Sequence, residues 1–139
     1  MMELKINLTM LKGDKFETHF TVTSKVYDGF IDIFNDRNIL HTDKEFAKEK
    51  NFDAVVMHGN ILNGFVSYFI GESLPVKNVM IISQEIKYAK PVYLNDELIM
   101  RTELSDIIES VNVYQFKFAF HKKTGDQKMA TGKIQICLI

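Results

Sequence analysis

The sequence predicts an α+β fold in which a curved antiparallel sheet wraps a long central helix. Three observations lead there. Gly59 to Glu72 carries Ile61, Leu62, Phe65, Val66, Phe69 and Ile70 at helical spacing, and a second face of small residues, Asn60, Gly64, Ser67 and Gly71. An apolar stripe beside a small-residue stripe predicts a helix buried on more than one side. Val111 to Lys122 alternates, with Tyr114, Phe116, Phe118 and Phe120 on one side and Gln115, Lys117 and His121 on the other. Finally, the chain runs as one strand, then helices, then three or four long strands, which is an α+β order.

The elements follow in sequence. Lys15 to Thr23 alternates Phe16, Thr18, Phe20 and Val22 on one side and reads as a strand. Thr23 or Ser24 caps a helix to about Phe34, whose stripe is Val26, Tyr27, Phe30, Ile31 and Phe34. A loop holds Asn35 to Leu40, and Asp43 caps a short charged helix with Phe46 and Ala47 facing inward. After the central helix come strands at Asn78 to Pro91, Asp96 to about Ile108, Val111 to Lys122, and Gln127 to Ile139. The last carries Ala130, Ile134, Ile136 and Leu138 on one face. One-sided alternation gives each strand a core face and a wet face. Pro75 and Pro91 punctuate between elements.

Length and composition bound the possibilities. The 139 residues fit one domain, 1–139, large enough to bury a core without staples. The net charge is -1 and the charges are interspersed, which excludes a broad basic field for nucleic acid. No window is long and apolar enough to span a bilayer, and Met1 to Leu11 lacks the apolar stretch of a signal peptide. A cytoplasmic location is the expectation. Cys137, the lone cysteine, rules out an internal disulfide framework and a Cys-rich zinc site, and reads as a small apolar filler of the last strand.

Chemistry concentrates in Asn35 to Ala47. Asp36, Asn38 and His41 lie within six residues, in a loop between two predicted helices. A carboxylate and an imidazole so placed can act as an acid/base pair around a water, the carboxylate orienting the ring. The same residues also serve as helix caps and turn formers, and a single histidine is more often structural.

These residues resemble the MaoC-like family of (R)-specific enoyl-CoA hydratases and dehydratases, whose motif reads Gly-Asp-x-Asn-Pro-x-His with Ala or Ser following. Asp36, Asn38, His41 and Ala47 fall in register; Asn35 stands for the motif's Gly and Ile39 for its Pro. The likeness continues at Met57-His58-Gly59, matching a His-Gly pair that opens the family's central helix. It continues at Ser67, eight residues later, and at Ile86 to Leu98, with its Pro-Val and Asp-Glu-Leu passages. It covers roughly Lys15 to Ile139.

The resemblance implies a hot-dog fold and reversible syn hydration of trans-2-enoyl thioesters to (R)-3-hydroxyacyl thioesters. Asp36 and His41 would be the catalytic pair. The Gly59 amide would meet charge on the thioester oxygen, with Asn38, His58 and Ser67 in support. It implies a coenzyme A or acyl carrier protein thioester as substrate, an acyl tunnel beside the central helix, and a homodimer. Lys87 and Lys90 are candidates for contacting the carrier. No metal site, phosphate loop or cofactor is expected. Two other readings stay open: a hot-dog acyl-thioester hydrolase, whose water attacks the carbonyl instead, and a non-catalytic acyl-thioester-binding domain.

Overall fold

The computed structural model describes residues 10–139, so the reading of Met1 to Leu11 lies, for residues 1–9, outside the described residues. Strand β1 is Lys15–Thr21. The helical segment follows: α1 Ser24–Phe34, α2 Ile39–Thr42, α3 Lys44–Glu49 and α4 Asn60–Tyr68. Then come β2 Val79–Tyr88, β3 Glu97–Ile108, β4 Val113–Lys122 and β5 Lys128–Leu138. The strands form one antiparallel sheet in the order β1-β3-β4-β5-β2. A curved sheet closed on a helix is the hot-dog arrangement.

The core is the seam between α4 and the inner face of the sheet. Ile61, Leu62, Val66, Phe69 and Ile70 are buried from the helix side; Phe116, Phe118, Phe120, Ile134 and Ile136 are buried from the sheet side. Aromatic pairs lock the two layers. Phe20 stacks on Phe65 with ring centroids 4.4 Å apart, and Phe69 meets Phe16 and Phe116 edge-on. Each such pair adds about 0.5–1.5 kcal/mol beyond area burial. Gly132 interrupts the apolar row of β5 because a Cβ there would lie 2.3 Å from both the Glu85 carbonyl and the Phe118 ring.

The central helix departs from expectation in two ways. It widens into a π-helical turn at Phe69–Ser73 instead of continuing as α-helix to Glu72. Its small-residue face is open to solvent. Asn60, Gly64, Ser67 and Gly71 are exposed, with nothing among the described residues within 4 Å of a Cβ built at Gly64 or Gly71. Among the described residues, then, the helix is buried mainly along its Ile61–Ile70 stripe, which the sheet covers. Cys137 stands in β5 as expected but half-buried, at a position paired with Met80 and Val113, rather than in the core row of Ile134 and Ile136.

The predicted loop after α1 is shorter than Asn35 to Leu40. Asn35 takes a left-handed conformation (φ 57°) that ends α1, and its N–H reaches the Ile31 carbonyl. Asparagine is among the few residues other than glycine that enter this region readily. The Asn38 side chain accepts from the Leu40 N–H at 3.0 Å and starts α2, so the chain turns helical at Ile39. Ile39 is therefore the first residue of a helix, where proline's missing N–H is harmless. Both departures from the motif's Gly and Pro fall where the local backbone tolerates them.

These assignments predict four variants by urea unfolding. Asn35→Gly should stay within about 0.5 kcal/mol of wild type, because glycine enters the left-handed region freely. Asn35→Ala should lose about 1–2 kcal/mol. Ile39→Pro should be tolerated within about 1 kcal/mol, whereas Asn38→Ala should cost about 1 kcal/mol through the lost cap. Equal losses for Asn35→Gly and Asn35→Ala would refute the left-handed assignment.

Candidate active site

Two histidines organise the site, and backbone carbonyls set their orientation. His41 Nδ1 lies 2.7 Å from the Val56 carbonyl oxygen, and His58 Nε2 lies 2.8 Å from the Asp36 carbonyl oxygen. A carbonyl only accepts, so each of these nitrogens carries the hydrogen in the neutral ring. The bare nitrogens are then Nε2 of His41 and Nδ1 of His58. The rings face one another with centroids 4.1 Å apart and planes inclined by 32°. His58 is only 3% exposed, and its Nδ1 is buried without a hydrogen-bond partner among the described residues.

Asp36 completes the cluster. One carboxylate oxygen accepts the Asn38 N–H at 3.2 Å, closing a turn that fixes the side chain. Its other oxygen has no partner among the described residues. One ligand atom each from Asp36, His41 and His58 can be chosen so that all lie within 4.8 Å of one another. Asp36 is exposed, His41 half-buried and His58 buried, so the cluster runs from solvent inward. Tyr27 on α1 donates its hydroxyl to the His41 carbonyl, tying α1 to α2. Burial, reinforced by the neighbouring Asp28 charge, holds the Tyr27 phenol above its ordinary range, so it remains a donor at neutral pH. The Phe30 ring packs 4.6 Å from His58.

Beside the cluster lies a cavity of about 390 Å³, lined mainly by apolar side chains. His41, His58 and Gly59 stand on its wall with Tyr88, Pro91 and Val92. Gly59 precedes α4, and its N–H finds no backbone acceptor among the described residues, as expected for a helix N-terminus. Its lack of a side chain lets the Tyr88 ring lie close: a Cβ here would come within 2.7 Å of that ring, which would have to move aside. Lys90 also lines the cavity, whereas Lys87 lines a groove bordered by Lys117, Lys133 and Arg101.

The structure thus brings Asp36, His41, His58 and Gly59 together, with Asn38 as the cap that shapes the loop. It does not bring Ser67 to them. Ser67 is exposed on α4, about 12 Å along the helix from Gly59 at 1.5 Å per residue, and does not line the cavity. Sequence reasoning gave no role at the site to Tyr27, Tyr88 or the Val56 carbonyl. Tyr27 sits within an ordinary apolar helical stripe, and a carbonyl acceptor has no side-chain signature.

No helix among the described residues is long and apolar enough to cross a membrane. The sequence model of the MaoC like domain matches residues 10–123. A 3-hydroxybutyryl-CoA dehydratase of Methylorubrum extorquens is 30% identical over 87 residues, which is 63% of this chain and 55% of the relative. A mitochondrial 3-hydroxyacyl-[acyl-carrier-protein] dehydratase of Arabidopsis thaliana is 27% identical over 80% of this chain and 66% of the relative. An (R)-specific enoyl-CoA hydratase of Aeromonas caviae is 30% identical over 58% of this chain and 60% of the relative. The chain therefore spans between 55% and 66% of the length of these curated relatives. In structure, the (R)-hydratase of A. caviae superposes with a TM-score of 0.85 at 23% identity, over 95% of this chain and 99% of that one, a likeness of fold. A protein of Archaeoglobus fulgidus superposes with a TM-score of 0.83 at 25% identity, over 94% of this chain and 80% of that one. With more than three quarters of its length matched by one family model and its fold shared with an (R)-hydratase, the chain belongs to the MaoC-like domain family.

Proposed function

We propose that this chain is a hydro-lyase that reversibly hydrates trans-2-enoyl thioesters, carried on coenzyme A or acyl carrier protein, to (R)-3-hydroxyacyl thioesters. The observation that carries this reading is the meeting of Asp36 with His41, which stands on the wall of an apolar cavity that Gly59 also lines. Hydration of a conjugated thioester has three needs. A water must be held and deprotonated at the β-carbon, a proton must reach the α-carbon, and charge must be met on the thioester oxygen. His41 Nε2 and the free Asp36 oxygen hold the water from two sides and share both proton transfers. The Gly59 N–H, at the positive end of α4, donates to the thioester oxygen as negative charge develops there. The His58 N–H to the Asp36 carbonyl and the Asn38 cap keep the loop in reach of the helix. The apolar wall beside them takes the acyl chain, and Lys90 faces the carrier's phosphates at the cavity mouth.

We also propose that the chain acts as a homodimer. Strand β2 is an edge strand with Met80 50%, Ile81 39% and Ile82 46% exposed, and its Gln84 donates to Asn63 on α4. An edge of this kind is normally covered. A second copy would supply the cover, and Ser67 would then lie within the assembly. Light scattering on the purified chain should give twice the 16.1 kDa chain mass, and Ile82→Lys should shift it toward monomer. A wild-type monomer at micromolar concentration contradicts the proposal.

Activity is tested by the loss of enoyl absorbance with crotonyl-CoA and with a longer enoyl-CoA. Wild type should hydrate at least one of them. Asp36→Ala and His41→Ala should each lose roughly 10²- to 10⁴-fold in kcat/KM, the range expected for a general acid or base. Free thiol release without hydration would instead favour the hydrolase. Binding without turnover of either kind would favour the non-catalytic acyl-thioester domain.

A further inference from the structure

Tyr88 ends β2 and stands on the cavity wall beside Gly59. Its hydroxyl oxygen lies 3.0 Å from the point that a Gly59 Cβ would occupy. Standard bond lengths put that point about 2.5 Å from the Gly59 nitrogen. The phenol oxygen is therefore within about 5.5 Å of that nitrogen. Two donors no farther apart than this can share one acceptor oxygen, since each hydrogen bond spans about 2.9 Å.

The neighbouring amides decide where the phenol sends its hydrogen. Gln84 Nε2 donates to Asn63 Oδ1 at 2.6 Å, and Asn63 Nδ2 donates to Asn60 Oδ1 at 2.8 Å. The Asn63 amide is thus fixed from both ends, and it is its nitrogen that faces the Tyr88 hydroxyl, at 3.5 Å. An amide nitrogen only donates. The phenol is the acceptor in that contact, and its own hydrogen has no acceptor among the described residues. Tyr88 is 51% exposed, so a ligand in the cavity has access to it. Burial of the rest holds the phenol above its ordinary range, against a smaller opposing pull from Asn63, and it stays protonated at neutral pH.

We propose that the Tyr88 hydroxyl is a second donor to the thioester oxygen, beside the Gly59 N–H. The proposal rests on the enoyl-thioester reading of the site. As water adds at the β-carbon, the electron pair of the C=C bond moves toward the carbonyl. Charge gathers on the thioester oxygen until the α-carbon takes its proton. Tyr88 gives up no proton in this step; it lends a hydrogen bond that strengthens as the charge grows.

The test compares wild type with Tyr88→Phe and Tyr68→Phe through two readouts. Tyr88→Phe removes one oxygen and leaves the ring against Gly59. Tyr68 is 53% exposed on α4 and does not line the cavity, so Tyr68→Phe is the control. The first readout is hydration of the better enoyl-CoA substrate. Tyr88→Phe should lose roughly 10²-fold in kcat, the scale of one lost oxyanion donor, with KM little changed. The second is the infrared carbonyl band of bound butyryl-CoA, isotope-labelled at the thioester carbon, which binds without being hydrated. Wild type should move the band to lower wavenumber than in free ligand, and Tyr88→Phe at full occupancy should move it less. Tyr68→Phe should match wild type in both. A wild-type band shift without hydration, reduced in Tyr88→Phe, would sink the hydratase reading and keep the donor. A band or a kcat unchanged between wild type and Tyr88→Phe in an active enzyme overturns the proposal. So does an equal loss in Tyr68→Phe, an unchanged band in an inactive chain, or failure of butyryl-CoA to bind wild type.

Discussion

The seam between α4 and the inner face of the sheet is the constraint on which the rest depends. Val66, Phe69, Phe116 and Phe120 have no solvent exposure, and each buried side chain of this size contributes about 1.5–3 kcal/mol. That seam decides where α4 begins relative to the sheet, and so where Gly59 meets Tyr88. Because a Cβ at Gly59 would strike the Tyr88 ring, helix start and strand end are in contact at the cavity wall. A shift of the seam by one helical turn would carry the Gly59 amide about 5 Å from the loop.

The second layer of order is polar. His41 binds the carbonyl of Val56, and His58 binds the carbonyl of Asp36, so the loop and the approach to α4 are tied to each other in both directions. Tyr27 adds a bond from α1 to the His41 carbonyl. These bonds hold both rings in one tautomer without consuming the nitrogens that face chemistry. The arrangement leaves His58 Nδ1 buried and without a partner among the described residues, at a cost of about 1–3 kcal/mol.

Much of this was legible in the sequence, for identifiable reasons. Phe116, Phe118 and Phe120 declared β4 through their period of two, and Ile61 to Ile70 declared α4 through helical spacing, because burial on one face leaves a periodic trace. Thr23 and Asp43 announced their helices as capping residues, and both side chains accept from the first turn. The ends of elements were less clear. The π-helical turn at Phe69 and the helical start at Ile39 arise from local hydrogen bonding that no apolar pattern records. The open face of α4 was misread from its small residues, since size alone does not say whether a neighbour is present in the same chain. At the site, Asp36, Asn38 and His41 were visible because they are close in sequence. The contact of His58 with the Asp36 carbonyl spans 22 residues and ends on backbone, so only folding reveals it.

The most direct test of the central claim, that Asp36, His41 and Gly59 form one reaction site, is a crystal structure with (R)-3-hydroxybutyryl-CoA bound. The account predicts the thioester oxygen within hydrogen-bond distance of the Gly59 N–H, the 3-hydroxyl between the Asp36 carboxylate and His41 Nε2, and the acyl chain against Val92 and Leu62. A thioester seated elsewhere, for instance along the groove lined by Lys87, Lys117 and Lys133 with the Asp36–His41 pair untouched, would contradict it.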